Sequence, residues 1–142
     1  MLRVKRIPLA GAMAVLLSMG TVIAAQAPRS LAEGVYTADQ AGRGAELYEE
    51  QCLSCHGELS AFVPELAALL ADHTFRNRWR GRSLGELFEL IQVEMPEDAP
   101  GTLSFTETAE LVAYILQGNR IPTGETPLAD DLEQLSQIPF EP

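Results

Sequence analysis

The sequence predicts a small all-α domain behind an apolar leader. Three observations predict this fold class. Apolar residues recur at helical spacing in several segments after residue 38, residues typical of helix starts precede those segments, and no strand-like alternation reaches useful length. The 142 residues of the chain suffice for one such domain.

Residues 1–27 have the layout of a secretory signal peptide. A basic start at Arg3, Lys5 and Arg6 is followed by a run of apolar or small residues and then by alanines up to Ala27. The apolar run is shorter than the roughly 20 residues that a membrane span needs, which favours a cleaved leader over an uncleaved anchor. We therefore expect an exported, periplasmic protein that is not inserted in a membrane once the leader is removed.

The rest of the chain is strongly acidic. Without the leader it has seven basic residues, all arginine, against twenty acidic residues, a formal net charge of 7 − 20 = −13. The electrostatic field of so negative a protein repels nucleic acid and anionic membrane surfaces, which excludes them as partners bound by overall charge. It favours a partner with a basic surface.

The mature chain divides into two unequal parts. Residues 28–38 show no clear period and predict a flexible lead-in, whereas residues 39–142 form the domain with its C-terminal tail. The first helix of the domain begins at Asp39 as N-cap, and its apolar face carries Ala41, Ala45 and Tyr48. Gly42 and Gly44 cost about 1 kcal/mol each inside a helix, so a close approach of another backbone would explain them.

Three more helices and a short helical candidate follow. Pro64 begins a short helix, Ser83 caps the next, and Thr106 caps the last long one. The apolar stripes of the second and third are Leu84, Leu87, Phe88 and Ile91, and then Leu111, Val112, Ile115 and Leu116. The candidate lies around residues 128–135, in a tail that either packs on its own domain or contacts a partner.

This domain has few large apolar residues, since aromatic residues make up only 6% of the chain. Small domains often need a staple or a cofactor to supply the missing apolar burial. A haem would provide a large, flat apolar body at the centre of such a domain.

Both cysteines and one histidine of the chain lie in the stretch Cys52-Leu-Ser-Cys55-His56. Two thiols at this spacing can reach both vinyl groups of a haem, and the next residue then presents its imidazole to the iron. Three alternatives stay open: a zinc site completed by His73, a redox-active dithiol, and a strained disulfide. The exported location and the glycine after the histidine favour covalent attachment of one haem c per chain.

A second axial ligand has two candidates. Met95 is the only methionine outside the leader, and it lies at a helix end, where its thioether can point into a cleft. Its alternative role is core filling. His73 is the rival ligand, and lysine is excluded because the mature chain has none.

From about Asp39 onward the chain resembles the class I c-type cytochromes. Three separated stretches carry the resemblance: G-A-E-L-Y-E-E-Q-C-L-S-C-H-G, Met95-Pro96 and E-L-V-A-Y-I-L. The resemblance implies a compact fold of short helices around one covalent haem, in which the N- and C-terminal helices cross. Leu111 and Tyr114 would then meet the first helix near Gly44.

The resemblance also implies further residues around the haem. Pro64 matches the proline whose carbonyl hydrogen-bonds the ligand imidazole, and Trp79 with Arg80 or Arg78 matches the donors to the haem propionates. The other arginines between Arg76 and Arg82 would form a local basic docking patch or remain solvated.

The implied function is periplasmic one-electron transfer, with His56 and Met95 as axial ligands and with redox proteins as partners, rather than enzymatic catalysis. The stretches W-x-G-x-S-L-x-x-L-F and M-P-x-x-x-P-G-x-L-S are similar to cytochromes that accompany quinoprotein dehydrogenases. The donor would then be a periplasmic dehydrogenase and the acceptor a cytochrome or oxidase of the respiratory chain. Two alternatives are a haem enzyme or ligand sensor with an open iron, using His73, and a fixed subunit of a dehydrogenase or oxidase.

Overall fold

The computed structural model describes residues 30–59 and 70–142, and within them the protein is helical. The elements are a 3₁₀ turn at Leu31–Glu33 and six helices, α1 (Ala38–Gln51), α2 (Leu53–His56), α3 (His73–Trp79), α4 (Leu84–Glu94), α5 (Phe105–Gly118) and α6 (Leu132–Ser136). The described residues contain no strand beyond an isolated bridge between Ser83 and Pro139. The predicted all-α class is confirmed.

Two predicted features lie outside the described residues. These are the leader, residues 1–27, and the short helix expected to begin at Pro64. None of the described helices combines the length and the apolar composition that crossing a bilayer requires.

The helix starts are set by side-chain caps. Ser83 caps α4 as predicted, and it forms a capping box in which the Glu86 carboxylate accepts the Ser83 backbone N–H. α1 begins slightly earlier than predicted, because the hydroxyl of Thr37, rather than the carboxylate of Asp39, accepts the N–H of Gln40.

The last long helix is corrected in the same way. Ser104 caps α5, two residues before the predicted cap Thr106, and Glu107 completes a capping box with it. Several residues that favour caps are close together here, and the sequence does not say which of them leaves the helical conformation first.

Helices α1 and α5 cross at close range, as predicted. A methyl group at Gly44 would overlap the backbone carbonyl of Glu110, so only glycine permits this approach of the two backbones. The rings of Tyr48 and Tyr114 meet edge to face with their centroids 5.2 Å apart, and an Arg43–Glu110 ion pair lies beside them. The crossing therefore explains Gly44, whereas the same expectation for Gly42 was wrong, because a methyl group there would meet nothing within 4 Å.

The segment expected to be a flexible lead-in packs against the core instead, over the part that the structure describes from Ser30 onward. Val35 and Tyr36 are fully buried in the core, and the Tyr36 hydroxyl donates to the Ile121 carbonyl oxygen at 2.7 Å. The burial raises the pKa of Tyr36. The segment shows no sequence period because it has one 3₁₀ turn and otherwise irregular backbone, and its order comes from contacts with residues far along the chain.

Helix α3 was not predicted. Asp72 caps it by accepting the Phe75 N–H at 2.7 Å, and Phe75 and Trp79, one turn apart, are both buried. The polar residues between them are exposed or half-buried. A single apolar pair separated by polar residues gives too short a pattern for periodicity to detect.

The tail packs on its own domain rather than extending away from it. Helix α6 lies against α4, where Gly85 leaves room for Ser136. Ile138 and Phe140 are buried. The predicted helical candidate is present, at Leu132–Ser136.

Candidate functional site

The cysteine motif occupies one helical turn directly after α1. Cys52 ends α1 and precedes α2, and its carbonyl oxygen accepts the His56 N–H at 2.9 Å. Gly57 ends the turn with a positive φ of 68°, a conformation that side chains with a Cβ rarely adopt. The Tyr48 hydroxyl donates to the Gly57 carbonyl oxygen at 2.8 Å, which ties this turn to α1.

The two thiols have different surroundings. Cys52 is half-buried against the core, and this burial, followed by the nearby Cys55, raises the pKa of its thiol to about 11. Cys55 is exposed, and neither residue is in a disulfide. The motif therefore presents one thiol at the edge of the core and the other toward solvent.

His56 and Met95 line the same cavity, although 38 residues lie between them in sequence. The cavity has a volume of about 320 Å³. Most of its walls are apolar, from α3, α4 and α5, and the polar groups are few. Its lining consists of His56, Leu70, Asp72, Thr74, Phe75, Arg78, Trp79, Leu87, Leu90, Ile91, Glu94, Met95 and Ile115.

Helix α4 delivers the methionine to this cavity. Leu87 and Ile91 belong to its buried stripe, and Met95 follows one turn later as the residue that ends the helix. The Met95 N–H still donates to the Ile91 carbonyl oxygen at 3.1 Å. The last helical hydrogen bond thus keeps Met95 on the side of α4 that faces the cavity.

Trp79 is the aromatic wall of the cavity on α3. Its side chain is 3% exposed, and its ring centroid lies 5.9 Å from that of Phe75. The Arg82 guanidinium covers the ring at 4.1 Å from the centroid, while it also donates to Glu86 at 3.1 Å.

The four clustered arginines have different positions. Arg78 and Arg80 are both exposed, but only Arg78 lines the cavity. Arg76 lies near Asn119, with 3.5 Å between their polar atoms, and Arg82 covers Trp79. Of the two arginines considered for the haem propionates, only Arg78 is therefore brought to the cavity.

His73 is not brought to the cavity. Its side chain is 78% exposed, near the carboxylate of Asp72. In the described part of the chain, no three residues among histidine, cysteine, aspartate and glutamate are grouped to hold a metal ion. The four ligands of the zinc alternative are thus not assembled there. Pro64 lies outside the described residues.

Several lining residues were not singled out by the sequence. Leu87, Ile91 and Ile115 belong to predicted apolar stripes, but periodicity does not distinguish a residue that faces a cavity from one that faces another helix. Phe75 lies on the unpredicted helix α3, so the sequence offered no signal for its role.

The residues present fit a covalently attached haem. Two thiols lie one helical turn apart, the adjacent imidazole and a thioether reach one cavity, and the remaining walls are mainly leucine, isoleucine and aromatic side chains. Thiols and an imidazole at this spacing are the donors that c-type haem attachment uses.

An all-α fold with a C-x-x-C-H turn at an apolar cavity defines the chain as a c-type cytochrome. The family model described as "Cytochrome C oxidase, cbb3-type, subunit III" matches residues 39–115, and the chain belongs to this family. Membership implies covalently bound haem c and electron transfer with redox protein partners, rather than enzymatic catalysis. Neither the comparison with curated proteins nor that with solved structures gave a significant match.

Proposed function

We propose that this protein is an exported one-electron carrier of the class I type, with one haem c per chain. Cys52 and Cys55 would hold the haem by thioether bonds, and His56 and Met95 would be its axial ligands. The observation that carries the proposal is that His56 and Met95 line one apolar cavity beside the cysteine turn.

The chain's own residues would hold both ligands still and keep water away from the cavity. The haem iron supplies the chemistry, which is reversible one-electron exchange between its ferric and ferrous states. Leu87, Ile91 and Ile115 are buried walls that provide a low dielectric. A thioether ligand in such surroundings favours the reduced state, so we expect a relatively high midpoint potential.

Polar residues at the cavity would bind the haem propionates. Trp79 offers an indole N–H and Arg78 a guanidinium, both of which match a carboxylate. The sequence named Arg80 first, but the proposal takes Arg78, because Arg78 lines the cavity and Arg80 does not. Pro64 is proposed as acceptor for the His56 imidazole, on the resemblance alone.

The partners are proposed from the leader, the charge and the sequence motifs. An exported protein with a mature net charge of −13 is suited to a partner with a basic docking surface. The donor would be a periplasmic dehydrogenase, of the quinoprotein class by resemblance, and the acceptor a cytochrome or oxidase of the respiratory chain.

A fixed subunit is the second candidate, favoured by the family's description as an oxidase subunit. Covalent haem survives a denaturing gel, so haem staining of size-fractionated native extracts separates the two candidates. A stained band of the mature chain in the fractions expected for a monomer supports a diffusing carrier. The same band only in large membrane-derived fractions would support the subunit.

The haem enzyme or sensor alternative has less support. It would use His73 as an acid–base group beside an open iron, but that side chain lies largely in solvent and does not line the cavity.

The optical spectrum of the matured protein tests the proposal. Sharp c-type bands on reduction, with the weak red charge-transfer band of methionine-ligated ferric haem, are expected. The ferrous protein should also not bind carbon monoxide without denaturant. Haem without the red band, or ready carbon monoxide binding, would contradict Met95 ligation and support the alternative with an open iron.

A further inference from the structure

The C-terminal tail is attached to the connection between α3 and α4 by backbone hydrogen bonds. The Leu84 N–H donates to the Ile138 carbonyl oxygen at 2.8 Å, and the Phe140 N–H donates to the Arg82 carbonyl oxygen at 2.6 Å. The Gly81 N–H in turn donates to the Phe140 carbonyl oxygen at 3.1 Å. These three bonds fix the backbone of residues 81–84, which follow Trp79, against the tail.

Phe140 continues an aromatic row that ends at the cavity. Its fully buried ring meets Phe75 edge to face, with centroids 5.8 Å apart, and Phe75 packs against Trp79. Phe75 and Trp79 line the cavity, but Phe140 does not. Phe140 is thus the second layer behind this wall.

The tail also contacts the residue whose guanidinium covers the Trp79 ring. Arg82 places its guanidinium over the indole, while its own backbone carbonyl accepts the Phe140 N–H. The α3–α4 connection includes Gly81 with a φ of 78°, and the helix before it, α3, has only seven residues. A connection of this kind gains its fixed position from tertiary contacts rather than from its own helix.

We propose that the tail, residues 132–140, positions the Phe75–Trp79 wall of the cavity, with Phe140 as the positioning residue. This inference rests on the proposed function, because it takes the cavity as the haem site. The tail lies beyond the family match, which ends at residue 115. It is therefore an element of this chain that closes the back of a cavity built by the shared domain.

The test uses the holoprotein with the variants Phe140→Ala and Phe140→Leu. Leu31→Ala is the matched control, since Leu31 is buried in the core but does not line the cavity. The chain has one tryptophan, so a ¹⁵N spectrum of the reduced protein shows a single indole N–H signal from Trp79. Its hydrogen-exchange rate and the midpoint potential are the two readouts.

For F140A we expect indole exchange faster by about tenfold or more, as the wall opens locally, and a lower midpoint potential, as water reaches the cavity. F140L should shift both readouts in the same direction by a smaller, still measurable amount. L31A should lower thermal stability without moving either readout.

Unchanged exchange and potential in F140A, or equal shifts in L31A, would overturn the proposal and leave the tail a merely stabilising element. If F140A does not mature, F140L decides, because even its smaller side chain should measurably speed indole exchange. A wild-type spectrum without methionine ligation would instead contradict the proposed function. The indole exchange rates of the variants would still decide whether Phe140 positions Trp79.

Discussion

The side chain of Gln40 and the backbone of Leu128 exchange two hydrogen bonds in the buried core. The Gln40 amide nitrogen donates to the Leu128 carbonyl oxygen at 2.9 Å, and the Leu128 N–H donates to the Gln40 amide oxygen at 2.8 Å. The pair attaches the segment before α6 to the start of α1. One glutamine thereby satisfies two backbone groups that have no helix or strand of their own.

Gln40→Leu should therefore destabilise the protein by about 2 kcal/mol or more, because it leaves a buried N–H and a buried carbonyl without partners. Denaturant unfolding of the holoprotein measures this loss. Gln117→Leu, at an exposed position of α5, is the control and should change the free energy of unfolding by no more than about 0.5 kcal/mol. Equal effects of the two substitutions would show that the buried bonds contribute nothing.

The two glycines of α1 should respond to alanine with opposite signs. At Gly44 a methyl group would overlap the Glu110 carbonyl and force α1 and α5 apart, which should cost about 1–3 kcal/mol or more. At Gly42 a methyl group meets nothing within 4 Å, so alanine should stabilise by about 0.5–1 kcal/mol through helix propensity. Unfolding of G44A and G42A in parallel checks this, and destabilisation of the same size in both would refute the crossing.

Met95→Leu should keep the covalent haem but lose methionine ligation. Leucine keeps the apolar bulk at the cavity and removes the thioether, so we expect a lower midpoint potential, loss of the red charge-transfer band and carbon monoxide binding. Val93→Ala is the control, because Val93 is an exposed neighbour on α4 that does not line the cavity. A red band that persists in M95L would identify another residue as the ligand.

Arg78 and Arg80 provide a matched pair for the propionate proposal. A positive charge at the cavity disfavours ferric iron, so Arg78→Ala should lower the midpoint potential. Arg80→Ala should leave it near the wild-type value, because Arg80 does not line the cavity and solvent screens an exposed charge that is not beside the haem. Potentiometric titration at fixed ionic strength compares them, and the reverse order would restore the assignment to Arg80.

The capping box of α4 predicts a pH dependence of stability. The pKa of the Glu86 carboxyl lies below its ordinary value of 4.5, first because it accepts the Ser83 backbone N–H and then because Arg82 donates to it. A depressed folded pKa stabilises the protein above the unfolded pKa, and this contribution is lost as the pH falls through the folded value.

Glu86→Gln should therefore be less stable than the wild type above pH 4.5, and the difference should shrink as the pH falls further. Thermal unfolding between neutral and acidic pH measures the difference. Glu89→Gln, at an exposed position of the same helix outside the capping box, is the control for the loss of one negative charge. A difference between E86Q and wild type that does not depend on pH would contradict the ionic origin.

The sequence predicted the helices whose evidence is local. Ser83 is the correct cap of α4, the stripe from Leu84 to Ile91 is buried, and Gly44 lies at the expected crossing. It failed for α3 and for the segment around Tyr36, since neither has a period long enough to detect. Tyr36 is buried through a contact with Ile121, 85 residues away in the chain.

The sequence by itself determined the chemistry of the candidate site. Cys52, Cys55 and His56 lie within five consecutive residues, so their two thiols and one imidazole are close together whatever the rest of the chain does. The tertiary structure decided which distant groups share a cavity with His56. It brought Met95 and Arg78 to that cavity, kept His73 and Arg80 in solvent, and placed Phe140 behind Trp79. Such choices depend on the packing of whole helices against each other, and no local spacing encodes the direction in which a side chain meets a partner far along the chain.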